Sequence, residues 1–405
     1  MSTFALQSGL IPPPEAWVSS PAQFPTEEVQ REYTANLKLL QEKYRLRNEL
    51  CQYDFRGNNF TTDLLKQITD YSRTITKYLY DQPERGPLYY TYWEVYHTIF
   101  TKDFMLRIQA RYDMIKSKAF GRKKERLEEI GVKIKGVPIR SFHIADDSAD
   151  SGRAFARVIN KIEAETGSTI AWNHLTTYTQ NRSGADRIEH VKDAAHWIKG
   201  VDGDSCNLAN IRAWKNKITT ALKTVDIIVV NEVGDMADDD SSPIVCAIAF
   251  VLMNLNPDGY AIISLRDFSS AAAVSVIHLF ACAFEKSNII HTVASDRLFL
   301  CGSRFKNNVI AAQYKHLYTA CITPTHSIFS PEYMNGAAFT QTVETLLDVI
   351  RAASNWREQQ YRKLFSIYDE LSNSLSGKII KGHVEKVLAE QYPDQSGRWR
   401  AAMEY

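Results

Sequence analysis

After Gly131 the chain alternates short β-branched or apolar runs with longer stretches of helical period. Residues 137–145, 169–172, 225–230, 260–265, 289–293 and 298–300 read as strands. Residues 151–165, 208–223, a segment opening at Ser242 and Pro243, and 269–284 read as helices. The third has proline at its first helical position, where the missing N–H is not needed. The run VDIIVV at 225–230 is the clearest strand, fit for a sheet buried on both faces. Strands alternating with helices predict a mostly parallel sheet with right-handed crossovers. The short link 294–297 predicts that the last two strands pair antiparallel.

The flanks differ. Residues 1–25 carry Pro12, Pro13, Pro14, Pro21 and Pro25 and read as an extended arm. Thr26 is placed as a helix N-cap, with Glu27 and Glu28 in the first turn. Helical period continues through much of 26–130, including the aromatic-rich stretch 89–104, which is either core or a base-stacking platform. Helical period returns from Phe339 to about Leu375. The expected organisation is an arm at 1–25, a helical region at 26–130, an α/β domain at 131–310 and a helical region at 311–405.

Composition narrows the class. Apolar residues at 44% and charged residues at 23% are ordinary globular values, which excludes wholesale disorder. A net charge of +1 means that any basic site must be local. The six cysteines form no CxxC pair and no zinc-spaced cluster, so buried free thiols are expected and no metal. The longest apolar runs, 244–253 and 271–284, are shorter than the ~18–20 residues that span a bilayer. The N-terminus lacks a signal-peptide pattern. A soluble, cytoplasmic protein with no membrane partner is the expectation.

Ligands of parallel sheets bind at the carboxyl ends of the strands. Four segments there carry suitable groups. Residues 145–153 hold Asp146, Asp150 and Gly152 before a helix; they form a ligand loop or a helix-capping loop. Residues 200–207 hold Asp202 and Asp204, suited to a ribose or base, or to a capped turn. Asn231 and Glu232 end the VDIIVV strand, and Ser264 ends the next, followed by Arg266 and Asp267. Lys116, Lys118, Arg122, Lys123, Lys124 and Arg126 form the densest basic run, a solvated helix face or a phosphate-contacting patch. There is no P-loop, GxSxG elbow or HExxH motif.

Taken in order, these pieces resemble the FtsJ/RrmJ-like family of RNA ribose 2′-O-methyltransferases, particularly its viral cap-methylating members. The resemblance spans about residues 115–305. It rests on the basic entry segment 117–127, the loop at 143–153, VDGDSCNLANI (201–211), VDIIVVNEVGD (225–235), NPDGYAIISLRDF (256–268) and ASDRLFLCGSRF (294–305). It implies a Rossmann-like methyltransferase sheet, mostly parallel with the last strand antiparallel, and helical N- and C-terminal additions. It also implies S-adenosylmethionine as cofactor, held by Asp146, Asp150, Gly152, Asp204 and Asn231. RNA would be bound by Lys116, Lys118, Arg122 and Lys123.

The family's Lys-Asp-Lys-Glu tetrad falls here on Lys124 (or Lys123), Asn231, Ser264 and Asp296. The loop at 146–152 keeps one glycine, Gly152. A serine without an activating base cannot take the place of the central lysine at neutral pH. The resemblance therefore leads first to a methyltransferase-fold member of viral RNA-capping machinery without catalysis of its own. Capped mRNA and other capping or transcription subunits would be its partners, in the cytoplasm, a virus factory or a virion. The alternatives are an active 2′-O-methyltransferase using displaced groups such as Glu232, Arg266, Asp267 or Lys306, and a structural or RNA-binding scaffold. A nucleotide-binding oxidoreductase of the same sheet class would need a GxGxxG motif, which is absent.

Overall fold

The computed structural model describes residues 2–7, 9–18, 20–21, 31, 34–35, 86–99, 139–146, 149–166, 170–177, 197–199, 225–231, 242–265, 268, 270–292, 297–306, 316–317 and 326–372. The central strand, β6 (Val225–Asn231), is buried along its whole length. To one side lie β3 (Ile139–Asp146), β4 (Ile170–Thr177) and β5 (Trp197–Lys199), all parallel to it. To the other side lies parallel β7 (Leu255–Leu265), then antiparallel β9 (Leu298–Phe305), then β8 (Phe284–His291). β1 (Ser2–Leu6) closes that side, antiparallel to β8, giving the order β1-β8-β9-β7-β6-β3-β4-β5.

The expected strands are thus present, and the last two pair antiparallel through a short link, as predicted. Four described strands were not expected: β5, the two-residue strands at 20–21 and 326–327, and β1. Residues 2–6 of the proline-rich arm form an edge strand of the main sheet, each residue opposite one of β8. The arm then packs down. The Trp17 indole donates to the Pro12 carbonyl at 2.9 Å and meets Phe329 edge-on, and Ser330 N–H donates to the Ala16 carbonyl. Beside it, β2 (Ser20–Pro21) pairs with β10 (His326–Ser327).

Helices cover both faces. Side chains alternate along β6, so Ile228 and Val230 face one way and Ile227 and Val229 the other, and all four are buried. On the first face lie α3 (Ser242–Asn254) and α4 (Ala271–Ala283), whose apolar residues form one core with Ile228, Val230, Ala261 and Ile263. Both helices are apolar on nearly every side because they are enclosed between sheet and further helix. That outer cover comes from α5 (Pro331–Met334) and the first half of α6 (Ala337–Ser372), through Phe339, Val343, Leu346 and Ile350.

The second face is covered by α1 (Gly86–Ile99) and α2 (Ala149–Thr166). Ala154, Phe155, Val158, Ile159 and Ile162 make the buried stripe of α2, at the spacing of one helical face. Phe155 sits at the centre of an aromatic group, edge-on to Tyr92 and Tyr96 of α1 and to Trp172 of β4. Lys161 lies over the Trp93 ring at 3.9 Å. The described part of the aromatic stretch, 89–96, is therefore core. The thiols of Cys246, Cys282 and Cys301 are buried, as expected of them. No described helix is long and apolar enough to cross a membrane.

Candidate functional site

The parallel strands β3, β6 and β7 end together at one edge of the sheet. Ala145 of β3 pairs with Asn231 of β6, and one residue earlier Val230 pairs with Ile263 of β7, so Ser264 ends its strand beside Asn231. The antiparallel β9 begins at the same edge, because Leu298 pairs with Leu265. Arg297, just before β9, is fixed by a tight turn. Thr292 N–H donates to the Arg297 carbonyl at 2.9 Å, and Arg297 N–H donates to Thr292 Oγ1 at 3.2 Å.

Asn231 is fully buried, and burial of an amide is tolerable only when it is hydrogen-bonded. Its Nδ2 donates to the Tyr92 hydroxyl at 2.6 Å, and its Oδ1 accepts from Arg297 Nη1 at 3.3 Å. The amide can face only one way. A guanidinium only donates, so Oδ1 must lie toward Arg297 and Nδ2 toward Tyr92, whose oxygen then accepts. Asn231 thus links α1 on one face of the sheet to the β8–β9 turn beyond β7. The guanidinium crosses the end of β7, where Ser264 is half-buried. Arg297 is itself half-exposed, and among the described residues no carboxylate pairs with it.

A second buried phenol, Tyr96, lies one helical turn further along α1. Burial raises its pKa well above the ordinary phenol value, the neighbouring Ser141 hydroxyl of β3 works the other way, and the nearby Tyr92 adds to the rise. The Tyr96 phenol therefore stays neutral near pH 7.

On the other side of Asn231, β3 ends at Asp146 and α2 begins at Ala149. Asp150 and Gly152 lie in the first turn of α2, so the end of β3 and the start of α2 lie at the same edge as Asn231 and Ser264. The side chains of Asp146 and Asp150 lie outside the description, as do residues 116–126, with Lys116, Lys118, Arg122, Lys123 and Lys124, and Asp204, Glu232, Arg266, Asp267 and Asp296. Of the sequence-derived site residues, the structure thus brings together Asn231, Ser264, and the backbone of Asp146, Asp150 and Gly152.

Two members of the site were missed in the sequence. Tyr92 lay in a stretch read as core or stacking platform, and Arg297 in the 294–297 link, read for its length and for Asp296 rather than for Arg297. Tyr92 and Arg297 lie 139 and 66 residues from Asn231, so no local pattern announces either contact.

No family model matches the chain, and no curated protein matches it. Among solved structures it is similar to the CMeT domain of citrinin polyketide synthase, at 11% identity and TM-score 0.27, covering 51% of this chain. It spans 58% of that chain, under two thirds of its length. It is also similar to an O-methyltransferase family protein from Burkholderia thailandensis, at 10% identity and TM-score 0.27, over 68% of this chain and 71% of that one. A third likeness is to a class I S-adenosylmethionine-dependent methyltransferase of Listeria monocytogenes, at 12% identity and TM-score 0.26, over 70% and 90% of the two chains. The sheet itself decides the fold. Five parallel strands run on from a reversed β9, whose neighbour β8 points with them, and helices cover both faces, so the chain has an α/β, Rossmann-like methyltransferase fold.

Proposed function

We propose that this chain is an S-adenosylmethionine-binding, methyltransferase-fold component of viral RNA cap or ribose 2′-O-methylation machinery, and that it does not itself carry out transfer by a lysine–carboxylate tetrad. The observation that carries the reading is the state of Asn231. At the strand end where the resembling family keeps an ionised acid, this chain has a neutral amide, fully buried and engaged by Tyr92 and Arg297. The neighbouring strand ends on Ser264 rather than a lysine. A hydroxyl that stays neutral near pH 7 cannot draw a proton from a ribose as an amine can. An arginine cannot substitute as the base, because it does not release its proton in a protein.

The sequence between β3 and α2 supports the cofactor reading: Ser148, Ala149, Ser151 and Gly152 are small, and α2 begins there with the free N–H groups of a helix start. In this reading Asp146 or Asp150, the backbone at Gly152, and Asp204 hold S-adenosylmethionine, whose sulfonium makes its methyl group transferable. RNA would approach along the basic run holding Lys116, Lys118, Arg122 and Lys123.

Calorimetric titration of the full chain with S-adenosylmethionine tests the cofactor half of the reading. Saturable binding is expected, weakened by about 1–3 kcal/mol in Asp204→Ala, the range for losing a hydrogen bond in a buried site. No binding, or equal binding by Asp204→Ala, would contradict it.

A further inference from the structure

We infer that Arg297 is a phosphate anchor for RNA, and that Asn231 positions its guanidinium without neutralising it. The inference rests on the RNA reading above and concerns the same strand edge. A guanidinium offers five N–H donors in a planar fork suited to phosphate oxygens. Here one of them is given to Asn231 Oδ1. The backbone of Arg297 is held by Thr292, and Asn231 is held in turn by Tyr92 of α1. The side chain is therefore pre-oriented rather than searching solvent, which lowers the entropy lost on binding. It is half-exposed, so part of the fork can meet a ligand.

The chemistry of Asn231 decides what that ligand is. A neutral partner positions the guanidinium and leaves its full positive charge. A carboxylate of the same shape would pair with it and cancel that charge. The arrangement therefore favours an anion, and in an RNA-binding protein that anion is a backbone phosphodiester.

Two substitutions test the inference through the salt dependence of binding a short capped single-stranded RNA. Arg297→Gln removes the charge and leaves a shorter, neutral polar side chain. Asn231→Asp keeps the shape and supplies a carboxylate that can accept from both Arg297 and a rotated Tyr92 hydroxyl, so it suits the buried position. Each variant is expected to bind RNA about tenfold more weakly near physiological salt, one tenfold step being a single charge-assisted contact. Each should also lower the slope of log affinity against log salt by ~0.7, the loss of one phosphate contact on a single strand. Circular dichroism confirms that each variant is folded, and if one does not fold the other carries the test. A wild-type slope in a folded variant would overturn the role of Arg297 while leaving RNA binding in place. Failure of the wild-type chain to bind RNA at any salt would overturn the RNA reading and this inference with it.

Discussion

Single residues carry the sharpest consequences of this structure. Tyr92→Phe removes the oxygen that accepts from Asn231 Nδ2 and strands a buried amide N–H. The expected cost is about 1–3 kcal/mol, read as a lower urea midpoint. His278 offers a pH test away from the strand edge. Thr342 Oγ1 donates to the Ala338 carbonyl, so it accepts from His278 Nδ1, and Nε2 accepts from the Tyr333 hydroxyl. That is a neutral imidazole, and burial lowers its pKa from 6.5 to about 4. Between these values the unfolded chain binds the proton and the folded chain does not. The stability present above pH 6.5 is therefore lost as pH falls toward about 4. Urea midpoints at about pH 7 and about pH 4.5 should fall further for wild type than for His278→Gln. Equal falls would show that His278 does not titrate in this way.

At the scale of elements, packing sets two further outcomes. Gly302 lies mid-strand in β9, and a Cβ there would sit 2.7 Å from both Phe280 Cζ and Phe284 Cγ. Both rings are fully buried and lie against each other at 4.4 Å. Gly302→Ala should therefore destabilise by about 1–3 kcal/mol, seen in thermal melting. Deleting residues 2–7 uncovers the β8 edge, and an open edge recruits other strands. The expected result is a lower melting temperature with concentration-dependent association in light scattering; an unchanged monomer would show that β1 is dispensable.

The same elements explain what the sequence disclosed. The strand at 225–231 and the helices at 242–254 and 271–283 were legible because a buried run or a sharp N-cap is written in consecutive residues. β1 was not, because proline content downstream suggested an arm, and strand pairing depends on a partner about 285 residues away.

For the whole molecule, the fold alone does not fix the activity. A methyltransferase fold fixes where a ligand can sit, and the residues at the strand ends fix what can happen there. The positions of Asn231 and Ser264 at the sheet edge were legible from strand order. Their surroundings were not, because Tyr92 and Arg297 reach them through tertiary packing from other elements. The central claim is that this edge holds a ligand without performing tetrad-type transfer. Its most direct test is transfer of labelled methyl from S-adenosylmethionine to capped RNA by the full-length wild-type chain, beside Ser264→Ala and Asn231→Ala. The account predicts no 2′-O-methyl product from any of the three. Robust wild-type transfer, abolished by either substitution, would contradict it.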